Sequence, residues 1–218
     1  MRLCHFFDLF SSWPENDMLS VADLGLKAIT LLTIVLMARR SDLGPNALYF
    51  DSENCTASLV QFTTDQLVSH SDGSLTVFIF AVKNDTDRCG FEVRIPAGSN
   101  SKTDPVPTIK CYIKRTIRCR GSNNAVFLSL KAPFTAIRSG TVARQLQRAI
   151  NLTPLKGKGF TPKSFRPSSA TAAVKGGIVP ETTMQVGRWK TQQVFFNHYV
   201  YPRAPDTYTD VVSSFKWQ

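Results

Sequence analysis

Arginine and tyrosine residues in the last third of the chain have the types and the order needed to cleave a phosphodiester. Arg166 is followed 33 residues later by Tyr199, and the tripeptide GRW lies between them at positions 187–189. The non-bridging oxygens of a phosphodiester are negative and repel a nucleophile until fixed positive groups neutralise the charge that builds in the transition state. Arginine stays charged and binds phosphate oxygens through a rigid fork of N–H donors. A tyrosine hydroxyl can then attack phosphorus and form a covalent ester that conserves the bond energy for rejoining.

The histidine and cysteine patterns are unlike those of a metal centre, and we expect neither a metal nor a cofactor. The chain has three histidines and no HExxH motif, and Cys111 and Cys119 are spaced unlike zinc ligands. Neutralisation of the phosphate by protein cations is therefore the expected chemistry.

A second arginine motif lies well upstream, and with it the chain resembles the catalytic domain of the tyrosine recombinases, the phage-integrase family. The resemblance is closest to the versions found in eukaryotic mobile elements such as DIRS-like retrotransposons and Cryptons. Family members carry a first arginine in a pattern like R-x-S-[DE]-L at the end of an apolar helix. The segment LKAITLLTIVLMARRSDL ends in this pattern, with Arg39 at the arginine position and Ser41, Asp42 and Leu43 after it.

The resemblance implies the chemical step. Tyr199 would attack a DNA phosphate to form a 3′-phosphotyrosine link, while Arg39 and Arg166 would hold the non-bridging oxygens. A hairpin between the arginines, LTVFIFAVKNDTDRCGFEVRIP, offers Lys83 to protonate the leaving 5′-oxygen. Tyr201 lies two residues beyond Tyr199, and the HY-V pattern typical of relatives favours Tyr199 as the nucleophile.

Two assisting residues are implied in the same way. Lys163 lies three residues before Arg166, where relatives have His or Lys, and would add positive charge or share proton transfer. Trp189, ten residues before Tyr199, would pack or hydrogen-bond beside the phosphate. Many relatives place His directly after the glycine, where this chain has Arg188, so the roles of Trp189 and Arg188 could be exchanged.

Positive charge is concentrated in the half of the chain that carries the motif. The net charge is +10, and residues 1–100 hold 7 Lys+Arg against 12 Asp+Glu, while residues 101–218 hold 19 against 4. Such a field attracts a polyanion and supplies the salt-sensitive part of DNA affinity. An RNA-binding module would share the charge but not the arginine, arginine, tyrosine order. Short basic runs are typical of segments that follow phosphates, and we expect DNA contacts from Lys110, Lys114, Arg115, Arg118, Arg120, Lys156 and Lys158.

The hydrophobic pattern predicts a mixed α+β fold, mainly helical with a small antiparallel sheet. A helix from about Val21 or Ala22 to Arg40 is capped by Ser20 and broken at Gly44. Alternating patterns indicate four strands, near 47–50, 58–62, 75–82 and 91–95. The last two are expected to form a hairpin. Helical patterns follow at about 107–117, 140–151 and 162–175, and Pro180 opens another short helix.

This arrangement distributes the site over several elements. Arg39 is expected to end a helix, Lys83 to sit on the hairpin, Lys163 and Arg166 to start a helix, and Tyr199 to follow a short helix. These elements must converge to form one integrase-like catalytic site.

We expect an N-terminal remnant over residues 1–20, a tyrosine recombinase catalytic domain over 21–201 and a C-terminal tail over 202–218. Relatives carry a helical DNA-clamping domain before the catalytic domain, and we expect it to be missing or vestigial here. The tail occupies the position where relatives dock a terminal segment on a neighbouring subunit, so the resemblance also implies a homo-oligomer on double-stranded DNA.

The expected function is DNA recombination or integration. Two alternatives share the fold: an inactive or domesticated DNA-binding protein, and a type IB topoisomerase-like nicking and closing enzyme. The N-terminus lacks the apolar core of a signal peptide and the five cysteines are irregularly spaced, which predicts an intracellular protein, in the nucleus if the host is eukaryotic. The apolar run from Ala28 to Ala38 is too short to cross a bilayer, and no membrane partner is expected.

Overall fold

The computed structural model describes residues 1–44, 48–51, 56–59, 62–80 and 90–200. Its α-helices are α1 (Cys4–Ser11), α2 (Val21–Val35), α3 (Arg40–Leu43), α4 (Pro105–Arg120), α5 (Ser139–Asn151), α6 (Phe165–Lys175), α7 (Pro180–Gly187) and α8 (Gln192–His198). Its strands are β1 (Leu48–Asp51), β2 (Thr56–Leu59), β3 (Leu67–Ser69), β4 (Leu75–Ile79) and β5 (Phe91–Ile95). The predicted mainly helical fold with a small antiparallel sheet is confirmed.

Helix α2 runs through the centre of the domain and packs against α4, α5 and α6. Ser20 caps its first turn, because the Ser20 hydroxyl accepts a hydrogen bond from the amide of Asp23 at 3.1 Å. The helix is buried on every side from Leu24 to Ile34, and Leu24, Leu31 and Leu32 are fully buried, as expected for a helix surrounded by other elements. Within the part of the chain that the structure describes, no helix is both long and apolar enough to cross a bilayer.

The end of α2 differs from the prediction, because the helix stops at Val35 and does not reach Arg40. Met37 adopts a left-handed backbone with φ 47°. The amide of Ala38 then donates to the carbonyl of Thr33 at 3.1 Å, which is the closing bond of a Schellman motif. Glycine is the usual residue at such a position, so the sequence carries no local signal for this helix end.

Arg39 consequently lies outside α2, in extended backbone just before α3, with φ −79° and ψ 155°. Its amide donates to the Asp42 carboxylate at 2.8 Å, with Asp42 in the place of the third residue of a capping box. The prediction that Arg39 ends the apolar helix is therefore corrected: Arg39 begins the next turn.

The three-stranded sheet has the order β3-β4-β5, and both pairings are antiparallel. Val77 on β4 lies opposite Leu67 on β3 and Val93 on β5. The predicted hairpin of β4 and β5 is confirmed, although β4 ends at Ile79 and the short β3 was not predicted. Strands β1 and β2 form a separate antiparallel pair. Lys83 lies outside the described residues.

The helices of the second half agree with the predicted order. Helix α4 extends beyond the expected 107–117, because the Asp104 carboxylate caps the amide of Val106 at 2.7 Å and Pro105 occupies the first helical position. The segment expected as one helix at 162–175 is a single 3-10 turn (Pro162–Ser164) followed by α6.

Helix α1 was not predicted, and it covers one side of the core. Phe6 and Phe10 are fully buried, and the ring centroid of Phe6 lies 4.8 Å from that of Phe165. Phe165 opens α6, so α1 packs directly against the helix start that carries Arg166.

Candidate active site

One cavity of about 800 Å³ brings together predicted residues from separate parts of the chain. It is lined by Arg39 before α3, Lys163 in the 3-10 turn, Arg166 in α6 and Tyr199 after α8. These four residues, which must lie close together to form one site, therefore do so in the folded chain.

Arg166 joins the ends of two helices through its guanidinium group. The side chain is buried, its Nη1 donates to the carbonyl of Met37 at 2.6 Å, and its Nη2 donates to the carbonyl of Gly187. Arginine suits this place because its planar fork presents donors in fixed directions. The same side chain therefore holds the turn before Arg39 and the end of α7.

Trp189 packs against both Arg166 and Tyr199. The Arg166 Cζ atom is 4.1 Å from the centroid of the Trp189 ring and 5.5 Å from that of the Tyr199 ring. The Trp189 and Tyr199 centroids are 4.7 Å apart. Contacts between a guanidinium and aromatic rings at these distances are stabilising, so the cation and the indole together fix the tyrosine ring.

The backbone of Tyr199 is anchored as well. Its amide donates to the carbonyl of Phe195 at 2.9 Å, and its carbonyl accepts from the hydroxyl of Thr171 on α6 at 3.2 Å. Phe195 is fully buried and packs edge-on against Trp189 at 5.0 Å. The end of helix α8 is thus held in place, and it positions Tyr199 at the cavity.

Arg188 forms a buried ion pair with Asp42. Its Nη2 lies 2.6 Å from Asp42 Oδ2, and the two side chains are 0% and 2% exposed. The backbone of Arg188 is left-handed, with φ 61°, and closes α7. Of the two residues whose roles the sequence left open, Trp189 lies against Tyr199 and Arg188 lies against Asp42.

The GRW tripeptide therefore has a separate task for each residue. A Cβ atom at Gly187 would overlap the Trp189 ring, so only glycine fits there. Gly187 offers its carbonyl to Arg166, Arg188 pairs with Asp42, and Trp189 packs on Tyr199.

The electrostatics of the site favour an anion. The pKa of Arg166 is lowered to about 9, first by burial and then by the positive charges of Arg39 and Arg188. Burial also lowers the pKa of Arg188, against the opposing effect of Asp42. Three arginines and one aspartate leave a formal charge of +2, and uncompensated buried charge of this kind is characteristic of functional sites.

Three buried donors of the site have no hydrogen-bond partner among the described residues: Arg39 Nη1, Arg166 Nε and Trp189 Nε1. Buried polar groups are normally paired, because an unpaired donor carries its full desolvation cost. Arg39 and Arg166 both line the cavity, so an oxyanion bound there would supply acceptors for these two arginine donors. The donor set fits a phosphate group, with a tyrosine hydroxyl beside it.

Two cavity-lining residues with basic side chains were not singled out from the sequence. Arg40 and His198 line the same cavity, and both are exposed. His198 comes directly before Tyr199, so its place beside the tyrosine was the feature of the sequence that could have identified it. Both add groups that can carry positive charge or a proton to the cavity.

The basic residues expected to contact DNA fall into two groups, one exposed to solvent and one bonded within the protein. Lys110, Lys114 and Arg118 are exposed at a spacing of four on α4, and Lys156 and Lys158 are exposed after α5. None of them lines the cavity that contains Tyr199.

Arg115 and Arg120 are engaged within the protein. Arg115 is exposed, but its Nη1 donates to the carbonyls of Asp17, at 3.2 Å, and Leu19. Arg120 is buried, and its Nη2 donates to the carbonyl of Val126 at 2.8 Å. Because carbonyls satisfy the Arg120 guanidinium inside the fold, we remove Arg120 from the proposed DNA-contacting set.

No protein-family model and no curated protein matches this chain. Solved structures do match. The XerH site-specific recombinase bound to difH substrate has a TM-score of 0.62 at 13% identity, covering 99% of this chain and 52% of that one. The XerA recombinase has a TM-score of 0.59 at 12% identity, covering 88% and 62%. The Tn1549 transposon integrase in complex with circular intermediate DNA has a TM-score of 0.52 at 15% identity, covering 97% and 64%.

These matches define the class of fold: this chain has the fold of a tyrosine recombinase catalytic domain. It spans about half the length of the XerH chain and less than two thirds of the other two chains. At these identities the likeness establishes the fold, and the function is inferred from the residues of the site.

Proposed function

We propose that this chain cleaves and rejoins double-stranded DNA through a 3′-phosphotyrosine intermediate at Tyr199, without a metal. The observation that carries this proposal is the single cavity lined by Arg39, Lys163, Arg166 and Tyr199. Four side chains from three segments of the chain, in the order and types that phosphodiester cleavage requires, meet around one cavity.

In the proposed step, Arg39 and Arg166 bind the non-bridging oxygens of a DNA phosphate. The Tyr199 oxygen forms a bond to phosphorus as the bond from phosphorus to the 5′-oxygen breaks, so the phosphate stays on the 3′ carbon. Lys83 gives a proton to the leaving 5′-oxygen, and Lys163 adds positive charge or shares in the transfer of the proton that the Tyr199 hydroxyl loses as its oxygen bonds to phosphorus. Attack by a 5′-hydroxyl reverses the step and rejoins the strand.

The charge of the site supports this chemistry. The transition state carries more negative charge on the phosphoryl oxygens than the starting diester does, and fixed cations in a buried site stabilise it strongly. The unpartnered donors of Arg39 and Arg166 provide such fixed positive groups. Trp189 packs beside the phosphate and holds the tyrosine ring.

Duplex DNA is the proposed partner. The XerH structure contains difH substrate and the Tn1549 integrase structure contains circular intermediate DNA, and we extend this kind of ligand to the present chain. The exposed basic face of α4, formed by Lys110, Lys114 and Arg118, would supply salt-sensitive contacts to phosphates.

Recombination or integration within a mobile element is the setting that we propose for this chemistry. The likeness of its motifs to DIRS-like and Crypton-like recombinases supports a eukaryotic element, and the proposed location is then the nucleus. A homo-oligomer assembled on DNA would place two or more active sites on the strands to be exchanged.

The test is covalent capture on DNA. Purified protein is incubated with a library of nicked duplexes and denatured in detergent, and covalent adducts are separated by size. The proposal predicts an adduct that Tyr199→Phe abolishes and that the matched control Tyr201→Phe retains. Tight DNA binding without an adduct would contradict the proposal and identify a DNA-binding protein of the same fold. An adduct with plasmid relaxation but no exchange between duplexes would identify a topoisomerase-like enzyme.

A further inference from the structure

We infer that the buried ion pair of Arg188 and Asp42 holds Arg39 in its phosphate-binding position, so that Arg188 is a positioning residue and not a ligand of the DNA phosphate. This inference rests on the proposed function and deepens it. It also decides between the two roles that the sequence left open for Arg188 and Trp189.

A single carboxylate oxygen connects the two arginines. Asp42 Oδ2 accepts from the backbone amide of Arg39 at 2.8 Å and from Arg188 Nη2 at 2.6 Å. The pair is inaccessible to solvent, so water does not weaken it. Because Asp42 is fixed from the α7 side by Arg188, the extended backbone of Arg39 is fixed with it.

Position 188 also acts on the other phosphate-binding arginine. Arg188 adopts a left-handed backbone, a conformation that costs a side-chain-bearing residue free energy and persists when its surroundings hold it. The preceding carbonyl, of Gly187, accepts from Arg166. The ion pair with Asp42 therefore also fixes the carbonyl that orients Arg166.

The charge of Arg188 gives a second reason why its pairing with Asp42 should help the site to bind a phosphate. Arg188 neutralises Asp42, which leaves the charges of Arg39 and Arg166 available to a phosphate. Without Arg188, the formal charge of the group would fall from +2 to +1, and the Asp42 carboxylate would compete with the phosphate for both remaining arginines. If the charges of Arg188 and Asp42 are removed together, the formal charge returns to +2.

This relationship defines a double-variant experiment. The proteins are wild type, Arg188→Met, Asp42→Asn, and the double variant, and the measurement is the single-turnover rate of adduct formation at saturating nicked duplex, with the Kd for DNA measured separately. We expect Arg188→Met to slow cleavage by about 10²-fold, the scale seen when one oxyanion donor is lost. The double variant should recover to within about tenfold of wild type, since the side-chain amide oxygen introduced by Asp42→Asn still accepts from the Arg39 amide.

A matched control removes a neighbouring charge that forms no ion pair with Asp42. Lys190 is exposed two residues after Arg188, and Lys190→Met should leave the cleavage rate at saturating DNA unchanged. If Arg188→Met fails to fold, Arg188→Lys keeps the charge beside Asp42, and it should cleave within about tenfold of wild type.

The outcomes separate this inference from the proposed function. A folded double variant as slow as Arg188→Met, or a folded Arg188→Lys slowed by about 10²-fold, would overturn the positioning role and make Arg188 a direct phosphate ligand. Failure of wild type itself to form an adduct would overturn the proposed function, and the positioning role with it.

Discussion

The carbonyl oxygen of Met37 accepts a hydrogen bond from Arg166 Nη1 at 2.6 Å, which joins residues 129 apart in the sequence. Met37 is the left-handed residue that ends α2 two positions before Arg39. One of the two arginines that we propose to bind the phosphate thus holds the turn that places the other. The site is built as a unit, and substitutions at its members should not act independently.

Arg166→Ala should lower the rate of covalent cleavage by about 10²-fold or more, because it removes a transition-state donor. It should also lower the free energy of unfolding by about 1–3 kcal/mol for each buried carbonyl left unsatisfied. Single-turnover cleavage and denaturant unfolding measure the two effects. A folded Arg166→Ala protein that cleaves at the wild-type rate would refute the role of Arg166.

Gly187→Ala should displace the Trp189 ring, because the added methyl group would occupy the volume of the indole. Overpacking of this kind typically costs about 1–3 kcal/mol of stability, and the displaced indole should also disturb Tyr199 and slow cleavage. Thermal unfolding and adduct formation test both effects.

Gly140→Ala is the matched control for this glycine. Gly140 lies in α5, and a Cβ atom there would meet no atom within 4 Å. The substitution should leave cleavage unchanged and should not destabilise the protein, since alanine favours helix over glycine. Equal effects at positions 187 and 140 would contradict the packing role of Gly187.

We expect the buried side chain of Lys27 to make the free energy of unfolding rise with pH in the alkaline range. The side chain is fully buried, its Nζ donates to Asn16 Oδ1 at 2.8 Å, and burial lowers its pKa from 10.5 to about 8. Between pH 8 and 10.5 the unfolded chain keeps this proton and the folded chain loses it. The contribution of Lys27 to the free energy of unfolding therefore rises with pH in this window, by up to about 3 kcal/mol.

Lys27→Met isolates this effect. Denaturant unfolding from pH 7 to pH 10 should show that the stability of wild type relative to Lys27→Met increases with pH. Lys131→Met replaces an exposed lysine that is not among the charges acting on Lys27, and the stability difference between wild type and this variant should not show the rise expected for Lys27. Parallel profiles for wild type and Lys27→Met would contradict the lowered pKa.

The basic face of α4 predicts the salt dependence of DNA binding. Replacing Lys110, Lys114 and Arg118 by alanine should reduce the slope of log K against log salt by about 0.9 for each phosphate that the protein no longer neutralises. Arg120→Met should instead lower the stability of the fold, because its guanidinium donates to the carbonyl of Val126. Binding isotherms at several salt concentrations test this, and an unchanged slope in the triple variant would remove α4 from the interface.

Local signals in the sequence predicted much of the fold. Ser20 marked the start of α2, the alternation of residues 91–95 marked β5, and Pro180 marked the start of α7. Each of these signals acts within a few residues, so it can be read without knowledge of the rest of the chain.

The features that were not predicted depend on distant contacts. The end of α2 is set by Met37, whose backbone is left-handed and whose carbonyl bonds to Arg166, 129 residues away in the sequence. No glycine marks this helix end in the sequence. The partner of Arg188 is Asp42, 146 residues distant. Arg166 and Tyr199 were found because their types and order suit the chemistry, and Arg39 was found from its family-like motif. The ion pair of Arg188 and Asp42, which we infer to position Arg39, follows only from the fold.

The most direct measurement of the central claim is to digest the covalent adduct and locate the attached nucleotide by mass spectrometry. We predict that the nucleotide is on the tryptic peptide spanning residues 191–203, that fragmentation places it on Tyr199 and not on Tyr201, and that the released strand ends in a 5′-hydroxyl. A nucleotide on any other residue, or a released strand with a free 3′-hydroxyl, would contradict attack by Tyr199 to form a 3′-phosphotyrosine.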